Sequence, residues 1–467
     1  MHSWNKNIPR NLYMLSRLNT PLAQIIILGF VAFCSPGMFN SLSGLGAGGR
    51  MGSDVALVDS ANAALYACFA IVGFFAGSVV NTFGPKYTLM VSTVGYIIYS
   101  ASLWVYDVKE NSGFVIAAGA ILGCCAGIFW TAQGAIMMAY PGEQEKGRFV
   151  SIFWTIFNLG GVLGSLIPLG MNLTNGGHGG VSTATYTVFV VIMGVGTALC
   201  VFIAPPSKVV RKDGSTVEVH ANLGWKEELK GVLRVVSEWR ILALIPAFLA
   251  SNWFYAYQFG VNAIYFDIQT RSLNGVVYWA AQILASIMLG FLLDYKGLPR
   301  RTRGLLGLGV TAIVSMAVWA GGLAFQLTFD RSYAAPINWT TPGFGGPFFL
   351  YMMYGFTDAL YQSYLYWLMG AMSNDSNTLA RYAGFYKAVQ SAGGAISFGI
   401  DAVHTDLVIE LAICWALVAI SLPLIFLVAR QVSNTNVEGA VDDGVKKDLE
   451  KLDSGKGTIV NKDDDSF

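Results

Sequence analysis

Two charged side chains lie inside long apolar segments of the chain, where ionisable groups are rare. Asp358 lies in the middle of segment 346–372, and Lys387 lies near the start of segment 382–403. A charge in hydrocarbon costs several kcal/mol unless it is paired or hydrated, so both residues indicate proton coupling or recognition of a charged solute. A structural ion pair is the alternative interpretation. At ~1.5 Å per residue the two differ by ~10 Å in depth, so we expect a water, Tyr361 or Gln362 to bridge them.

Amide and aromatic side chains recur on the predicted inward faces of several apolar segments. The residues expected to line a cavity are Trp130, Gln133, Trp154, Asn158, Asn252, Gln258, Asn262, Tyr361, Gln362 and Gln390. Amides can select a polar organic solute by hydrogen bonds, and rings can form apolar walls. Hydrogen bonding between helices is the alternative for each residue alone. The helical stripe of Asn252, Gln258 and Asn262 favours a cavity.

A glycine-rich signature occurs twice, at matching places in the two halves of the chain. The first copy is Gly77-x-x-x-Asn81-x-x-Gly84 followed by Lys86, and the second is Gly290-x-x-x-Asp294-x-x-Gly297 followed by Arg300 and Arg301. Glycine lets helices approach closely, and a carboxylate can cap a neighbouring helix or pair with the arginines. We interpret both copies as gating elements, with a plain connecting turn as the alternative. Asn81 is uncharged, so charge-based gating should be weaker in the first copy.

The composition is that of a membrane protein. Of 467 residues, 54% are hydrophobic and 12% are charged. Segments of about 20 apolar residues recur, and each is long enough to cross a ~30 Å hydrocarbon core as a helix. The predicted spans are 21–47, 57–80, 87–106, 113–140, 148–171, 185–204, 240–266, 274–294, 304–328, 346–372, 382–403 and 407–429. We predict an all-α membrane protein with twelve transmembrane helices in two six-helix bundles related as parallel repeats.

The predicted domains follow from these spans. They are a cytoplasmic N-terminus at 1–20, an N-terminal bundle at 21–204, a cytoplasmic linker at 205–239, a C-terminal bundle at 240–430 and a disordered cytoplasmic tail at 431–467. Lysine and arginine concentrate on one side of the spans, which places both termini in the cytoplasm. In the linker, Leu223, Leu229, Val232, Leu233 and Val236 have the spacing of an amphipathic helix, expected on the inner membrane surface. The protein is expected in the plasma membrane or a vacuolar endomembrane.

Several other functions are disfavoured by the sequence. Basic residues are scattered through short loops, which argues against binding of nucleic acid. The sequence contains no cluster of metal ligands, nucleophile triad or phosphate loop, so we expect no metal, no cofactor and no enzymatic activity. All six cysteines lie in apolar segments and are expected to be reduced. Sequons at Asn172 and Asn338 fall in predicted outer loops and are candidate glycosylation sites, with chance occurrence as the alternative.

The motifs carry a family resemblance. The two hinge signatures resemble the loops between helices two and three, and eight and nine, of the major facilitator superfamily. The motifs that resemble its Unc-type branch, particularly the fungal members, are Trp130-Thr-Ala-Gln133-Gly134, Lys146-Gly-Arg148, Asp358-Ala-x-Tyr361-Gln362 and Arg381-Tyr382-Ala-Gly384-Phe-Tyr386-Lys387. The resemblance covers roughly residues 20–430. It implies a two-bundle fold with a central cavity and alternating access. Acids that symporters carry in the N-terminal bundle are missing here, so a coupling acid would have to be Asp358.

The resulting hypothesis is a secondary transporter of a small polar organic solute. Asp358, with Lys387, is the candidate for coupling to protons or for binding a charged group. The expected partners are the lipid bilayer, the solute and protons, and the protein is expected to be a monomer. The alternative is a non-transporting regulator or trafficking partner of another membrane protein, a role that the resemblance implies from animal members of the branch.

Overall fold

The structure is a computed structural model that describes residues 18–44, 54–174, 183–217, 225–333 and 336–436. Within these ranges the chain forms twelve long helices. Helix α1 comprises Pro21–Ala32, the π-helical turn Phe33–Gly37 and Met38–Gly44. The others are α2 (Asp54–Phe83), α3 (Pro85–Lys109), α4 (Ser112–Ala139), α5 (Lys146–Thr174), α6 (Thr183–Leu199), α7 (Ile245–Tyr265), α8 (Ile268–Leu293), α9 (Arg300–Gln326), α10 (Gly345–Met372), α11 (Ser376–Ala402) and α12 (Leu407–Ala429).

The helices differ in how apolar they are. In the described part of the chain, eight of them have the length and apolarity needed to cross a bilayer: α1 to α5, α8, α9 and α12. Helices α7, α10 and α11 are long enough but more polar, because they carry Asn252, Asp358 and Lys387 among other polar residues. A membrane helix with such residues must turn them towards other helices or a cavity. These three helices are therefore the ones expected to contribute most of the polar site.

Two bundles, α1–α6 and α7–α12, meet along two helix pairs. Helix α2 packs against α11, and α5 packs against α8. Small residues make both approaches possible: a Cβ on Gly77 would lie 2.8 Å from Cα of Arg381, and a Cβ on Gly290 would lie 2.7 Å from Cβ of Ser151. Both glycines belong to the repeated hinge signature. The two halves of the repeat thus occupy equivalent places at the junction between the bundles.

Helix α1 accommodates a proline without ending. Its π-helical turn contains Ser35, Pro36 and Gly37. A π-helical turn absorbs the loss of the proline N–H within a continuous helix. The turn brings Pro36, Phe39 and Asn40 to the space between the bundles.

Helix α11 begins earlier than predicted, which changes the depth of Lys387. Asp375 caps its first turn, and its Oδ2 accepts a 2.9 Å hydrogen bond from the N–H of Thr378. The helix starts at Ser376 rather than near 382, because the capping aspartate, not the apolar run, sets its start. At ~1.5 Å per residue, Lys387 lies ~16 Å and Asp358 ~21 Å from the ends of their helices on that side. The predicted ~10 Å offset is therefore wrong and shrinks to ~5 Å.

The segment between the bundles forms a helix that packs on protein. Helix Trp225–Ser237, here called the linker helix, buries Val232 and Val235 against α2 and α11, while Leu229 and Leu233 stay exposed. The predicted amphipathic helix is present, but part of its apolar face covers the junction of the bundles rather than the membrane surface. Leu223 lies outside the described residues.

The predicted disorder of the tail is wrong for its first residues. Residues 431–436 lie against the bundles, where the Asn436 side chain donates to the carbonyl of Ala371 at 3.0 Å and its N–H donates to Glu143 at 2.8 Å. The side chain and the backbone N–H of Asn436 supply these contacts, which an apolar pattern cannot reveal. Residues 437–467 and 1–17 lie outside the described part.

A tight glycine crossing in α11 provides a test of this packing. A Cβ on Gly393 would lie 2.5 Å from the carbonyl oxygen of Leu249 in α7, whereas a Cβ on Gly399 would have no atom within 4 Å. Backbone atoms cannot move aside cheaply, and overpacking costs about 1–3 kcal/mol. We expect Gly393→Ala to lower the thermal unfolding midpoint in detergent by several degrees. Gly399→Ala, in the same helix, should leave the midpoint unchanged or raise it slightly, since alanine favours a helix over glycine; equal midpoints for both variants would contradict the described crossing.

Candidate functional site

A cavity of about 80 Å³ lies between the two bundles, lined by both of them. Its aromatic wall comes from both halves of the chain, and its amide groups come chiefly from α7, α8, α10 and α11. The lining residues are Pro36, Phe39, Asn40, Leu65, Tyr66, Phe69, Tyr96, Leu122, Ala126, Trp130, Trp154, Phe157, Asn252, Tyr255, Trp279, Gln282, Gln362, Lys387 and Gln390. One water needs about 10–15 Å³ of such a cavity, so the space holds about six water-sized groups.

Asp358 lies behind the cavity wall, within a set of hydrogen-bond donors. Its Oδ2 accepts from the Tyr255 hydroxyl at 2.9 Å and from the Gln282 amide at 3.0 Å, and its Oδ1 accepts from the Gln362 amide at 2.6 Å. The Tyr278 hydroxyl lies 3.3 Å from the same carboxylate and 3.0 Å from Oε1 of Gln258, so its single proton serves one of the two. Three or four donors and no acceptor are the surroundings that an ionised carboxylate requires.

Two glutamine amides connect Asp358 to Lys387. The Gln362 amide donates to Asp358, and its carbonyl oxygen accepts from the Gln390 amide at 3.0 Å. The Gln390 carbonyl oxygen in turn accepts from the Lys387 ammonium at 2.6 Å. Every donor and acceptor in this chain points the same way, which is the orientation that a cation at one end and an anion at the other impose. We call Asp358, Gln362, Gln390 and Lys387 the amide relay.

Aromatic rings hold the Lys387 ammonium at the cavity. Its Nζ lies 4.7 Å from the ring centre of Trp130, 5.0 Å from that of Tyr386 and 5.4 Å from that of Tyr366. Ring faces attract a cation, more strongly where water is excluded. Within the described ranges no carboxylate makes ion-pair contact with Lys387, so the relay and the rings are its partners.

The structure brings about half of the predicted cavity residues together. Trp130, Trp154, Asn252, Gln362 and Gln390 line the cavity, and so does Lys387. The expected bridge between the two charges runs through Gln362 but not through Tyr361, whose hydroxyl lies 2.6 Å from that of Ser421 in α12. The expectation that Tyr361 lines the cavity is therefore wrong, because its ring turns into the C-terminal bundle.

Four other predicted residues lie away from the cavity and bond within the protein. Gln133 accepts from the Tyr366 hydroxyl at 3.1 Å, and the Asn158 amide donates to the carbonyl of Trp154 one turn earlier at 2.9 Å. Gln258 and Asn262 accept from Tyr278 and Asn274 of α8 at 3.0 and 2.8 Å.

The stripe on α7 therefore divides into two parts. Asn252 lies at the height of the cavity, whereas Gln258 and Asn262 lie ~9–15 Å further along the helix, where polar side chains of α8 face them. Buried amides without water form such bonds between helices. Interhelical bonding, the alternative interpretation, holds for these two residues.

Sequence reasoning missed several lining residues. Trp279 and Tyr96 carry no polar neighbour pattern that would single them out among 12 tryptophans and 21 tyrosines. Tyr255 and Gln282 lie on helix faces that the sequence places inward, and both line the cavity. Their hydrogen bonds to Asp358 depend on the relative rotation of α7, α8 and α10, which the sequence does not contain.

Below the cavity, polar contacts join the bundles on one face, which we call the linker face and define by Asn81, Glu143, Glu228, Asp294 and Asn374. Asp294 ends α8, and its carboxylate accepts hydrogen bonds from the backbone N–H groups of Gly147 (2.9 Å) and Arg148. These groups open α5, in the opposite bundle. A carboxylate at a helix N-terminus satisfies free N–H groups and favourably meets the helix dipole. Burial raises the pKa of Asp294 to about 6, against the lowering by the two N–H donors, so the carboxyl is ionised at pH 7.

The first hinge copy makes an equivalent contact, and its negative charge comes from the linker helix. The Asn81 amide donates to the carbonyl of Asn377 in the first turn of α11 and to Glu228 of the linker helix, both at 3.3 Å. Glu228 also accepts from the Arg381 guanidinium at 2.8 and 3.3 Å. The uncharged Asn81 is thus supplemented by a carboxylate from the linker helix, which the sequence did not indicate.

The remaining hinge residues are placed as follows. Arg300 is buried with Nη1 3.6 Å from Glu143, while Arg301 is exposed and Lys86 is half-buried. Gly84 takes a left-handed conformation with φ of 79°, and Gly297 lies against the ring of Tyr295. Glu143 also accepts from the Asn374 amide at 2.6 Å. Of the two contacts expected for Asp294, capping of a neighbouring helix or pairing with the arginines, the structure shows hydrogen-bonded capping of α5.

The two sequons differ in environment. Asn338 lies between α9 and α10, where its amide donates to Asp267 at 2.7 Å. Asn172 belongs to the last turn of α5, and its side chain lies outside the described part.

Comparison with known proteins agrees with this architecture. The sequence profile of the Major Facilitator Superfamily matches residues 25–398. The chain is 44% identical to UNC93-like protein C922.05c of Schizosaccharomyces pombe over 90% of this chain and 84% of that protein. It is 41% identical to UNC93-like protein 1 of Arabidopsis thaliana over 91% of this chain and 94% of that protein.

Solved structures support the same fold. The transporter FucP in its outward conformation aligns with a TM-score of 0.61 at 15% identity, covering 89% of this chain and 99% of FucP. The proton:xylose symporter XylE aligns with a TM-score of 0.60 at 10% identity, covering 91% and 97%. The predicted all-α fold and the family resemblance are both confirmed. The chain belongs to the Major Facilitator Superfamily and, within it, to the UNC93-like branch that includes fungal and plant proteins.

Proposed function

We propose that the protein is a secondary transporter of a small polar organic solute and that it works by alternating access. The observation that carries this proposal is the cavity between the bundles, which both halves line and which polar contacts on the linker face close on one side. Capping contacts of this kind can break and reform without rebuilding the helices. We assign the linker face to the cytoplasm, following the distribution of lysine and arginine.

Asp358 is the candidate group for coupling to protons. It is buried, it is joined to the cavity through Gln362, and its partners Tyr255 and Gln282 line the cavity themselves. A proton on Oδ1 of Asp358 would turn the acceptor that orients Gln362 into a hydroxyl donor, and the change would pass along the amide relay to Lys387. Proton binding and solute binding would then influence each other through two side chains.

The rival function is a non-transporting regulator or trafficking partner of another membrane protein. It predicts a collapsed cavity and one membrane protein that co-purifies in fixed stoichiometry. The polar, lined space between the bundles supports the transporter instead. We further propose a monomer in the plasma membrane or a vacuolar membrane, without catalytic activity, and glycosylation at Asn338 and Asn172.

The proposal is tested first by finding a solute. Purified protein is screened by thermal unfolding against pools of metabolites, where a ligand at a hundredfold its Kd stabilises by ~2.7 kcal/mol. A solute that binds is then tested in a counterflow assay with proteoliposomes that contain the protein. Uptake above that of empty liposomes is expected. Binding without any exchange, together with one stoichiometric membrane partner, would favour the regulator.

The gating role of Asp294 predicts a change in the closed state. Asp294→Ala leaves the N–H groups of Gly147 and Arg148 uncapped, and loss of a capping side chain costs about 0.5–2 kcal/mol. The fraction of molecules whose linker face is open should therefore rise by about two- to thirtyfold. Distances between spin labels at Lys86→Cys and Lys296→Cys, in a background without the six native cysteines, measure it.

Two control variants accompany this measurement. Asp294→Asn keeps one acceptor oxygen and should lie nearer to the wild type. Asp213→Ala removes an exposed carboxylate that accepts hydrogen bonds from the neighbouring Ser215 rather than from the N–H groups that Asp294 caps, so it should change nothing. Identical distance distributions in Asp294→Ala and the wild type would contradict gating by this residue.

The coupling role of Asp358 predicts a separation of two activities. In Asp358→Asn, accumulation of the solute driven by a pH gradient should be lost, whereas counterflow exchange at equal pH should persist. The reason is that exchange needs only the conformational change, while accumulation needs a group that takes up the proton. Asp330→Asn, at an exposed loop residue, is the control. Unchanged pH-driven uptake in Asp358→Asn would rule out the coupling role.

A further inference from the structure

The charge that faces the cavity is positive. Of the described residues that line it, Lys387 is the only one with a charged side chain. Asp358 does not line the cavity, because Tyr255, Gln282 and Gln362 stand between its carboxylate and the open space. A solute that enters therefore meets an ammonium group directly, while the matching carboxylate stays out of reach behind neutral side chains.

Three of the amide groups that line the cavity are engaged in bonds within the protein. The carbonyl oxygens of Gln282, Gln362 and Gln390 already accept from Trp154, Gln390 and Lys387 respectively. Each of these three amides is thus committed to a bond within the protein. Asn40 and Asn252 are the other two amides of the lining, so the hydroxyl protons of a sugar-like solute would meet fewer free acceptors than five unengaged amides would offer.

Two hydrogen-bond donors at the cavity, in contrast, have N–H groups without an acceptor in the described part of the chain. The Lys387 ammonium has three protons and, among the described residues, a single hydrogen-bond acceptor, Oε1 of Gln390. Trp279 lines the cavity and is 2% exposed, and its indole N–H has no acceptor among the described residues. A buried N–H without a partner is unfavourable, so a ligand acceptor that reaches this N–H through a small shift of the ring gains from binding there.

We propose that the transported solute is a monocarboxylate with an apolar or aromatic body. The carboxylate accepts from Lys387, and the body packs against the aromatic wall that includes Tyr66, Trp130 and Phe157. A phosphate is disfavoured, because a dianion would face one cation whose charge Asp358 already offsets in part through the amide relay. This inference rests on the proposed transport function and names the solute class of the same cavity.

The test compares carboxylates with amides of the same shape. The pairs are propionate with propionamide, benzoate with benzamide, and indole-3-acetate with indole-3-acetamide, which also differ in size. Their Kd values for the full-length protein in detergent at pH 7 are measured by titration calorimetry. For at least one pair the carboxylate should bind tenfold or more tightly than its amide. In Lys387→Gln this preference should vanish.

Further variants distinguish a specific loss of carboxylate binding from general damage to the fold. Lys387→Arg keeps the cation and should retain the preference. Trp279→Phe keeps an aromatic ring but removes the indole N–H. It should weaken binding of the carboxylate at least threefold and leave binding of the amide unchanged. Lys296→Gln removes a lysine on the linker face, away from the cavity, and should leave both affinities as in the wild type.

The inference is overturned by either of two results with folded protein. One is that no carboxylate binds more tightly than its amide, including the case in which none of the six compounds binds. The other is that Lys387→Gln retains the preference for the carboxylate. If a neutral solute instead binds and exchanges in proteoliposomes, the transport function stands and only the solute class fails. If no solute exchanges, transport itself fails.

Discussion

Two opposite charges in the middle of a membrane protein must be satisfied without water, and this constraint organises the C-terminal bundle. Asp358 and Lys387 do not touch, and two glutamine amides, oriented in one direction, span the gap between them. A buried charge left without such partners costs several kcal/mol. The relay therefore fixes how α10 and α11 are rotated, and Tyr255 and Gln282 fix α7 and α8 around the same carboxylate. The polar wall of the cavity follows from the need to solvate Asp358.

The N-terminal bundle contributes differently. It supplies ring faces, such as Trp130 at 4.7 Å from the Lys387 ammonium, and no charge to the described cavity. On the linker face the two halves are more alike, since each hinge residue contacts the start of the opposite bundle's helix, α5 or α11. The first half lacks the acid and takes a carboxylate from the linker helix through Glu228. The duplication thus supplies a common frame, and each half completes it with different chemistry.

The sequence predicts the fold because apolar run lengths and the repeated hinge are local or periodic signals. It also predicts that Gln362 joins Asp358 to Lys387, since spacing along α10 brings Gln362 one turn from the acid. It fails where the outcome depends on which face of a helix meets a neighbour, as for Gln258, Asn262 and Tyr361. It misses Gln390 as the second half of the bridge and Trp279 as a lining residue, because both roles arise from packing between helices. The start of α11 shows how one capping aspartate can alter the inferred depth of a functional lysine.

The central claim is that the linker face must open and close for a solute to pass through the cavity. Asn81 and Asn377 lie across the junction of the bundles, with the Asn81 amide 3.3 Å from the Asn377 carbonyl oxygen. The most direct measurement uses a protein with Asn81→Cys and Asn377→Cys and without other cysteines, reconstituted in proteoliposomes. Solute exchange is measured before and after the two cysteines are joined by a short, reducible thiol cross-linker. The account predicts that cross-linking stops exchange and that reduction restores it. Exchange that continues at the same rate in fully cross-linked protein would contradict it.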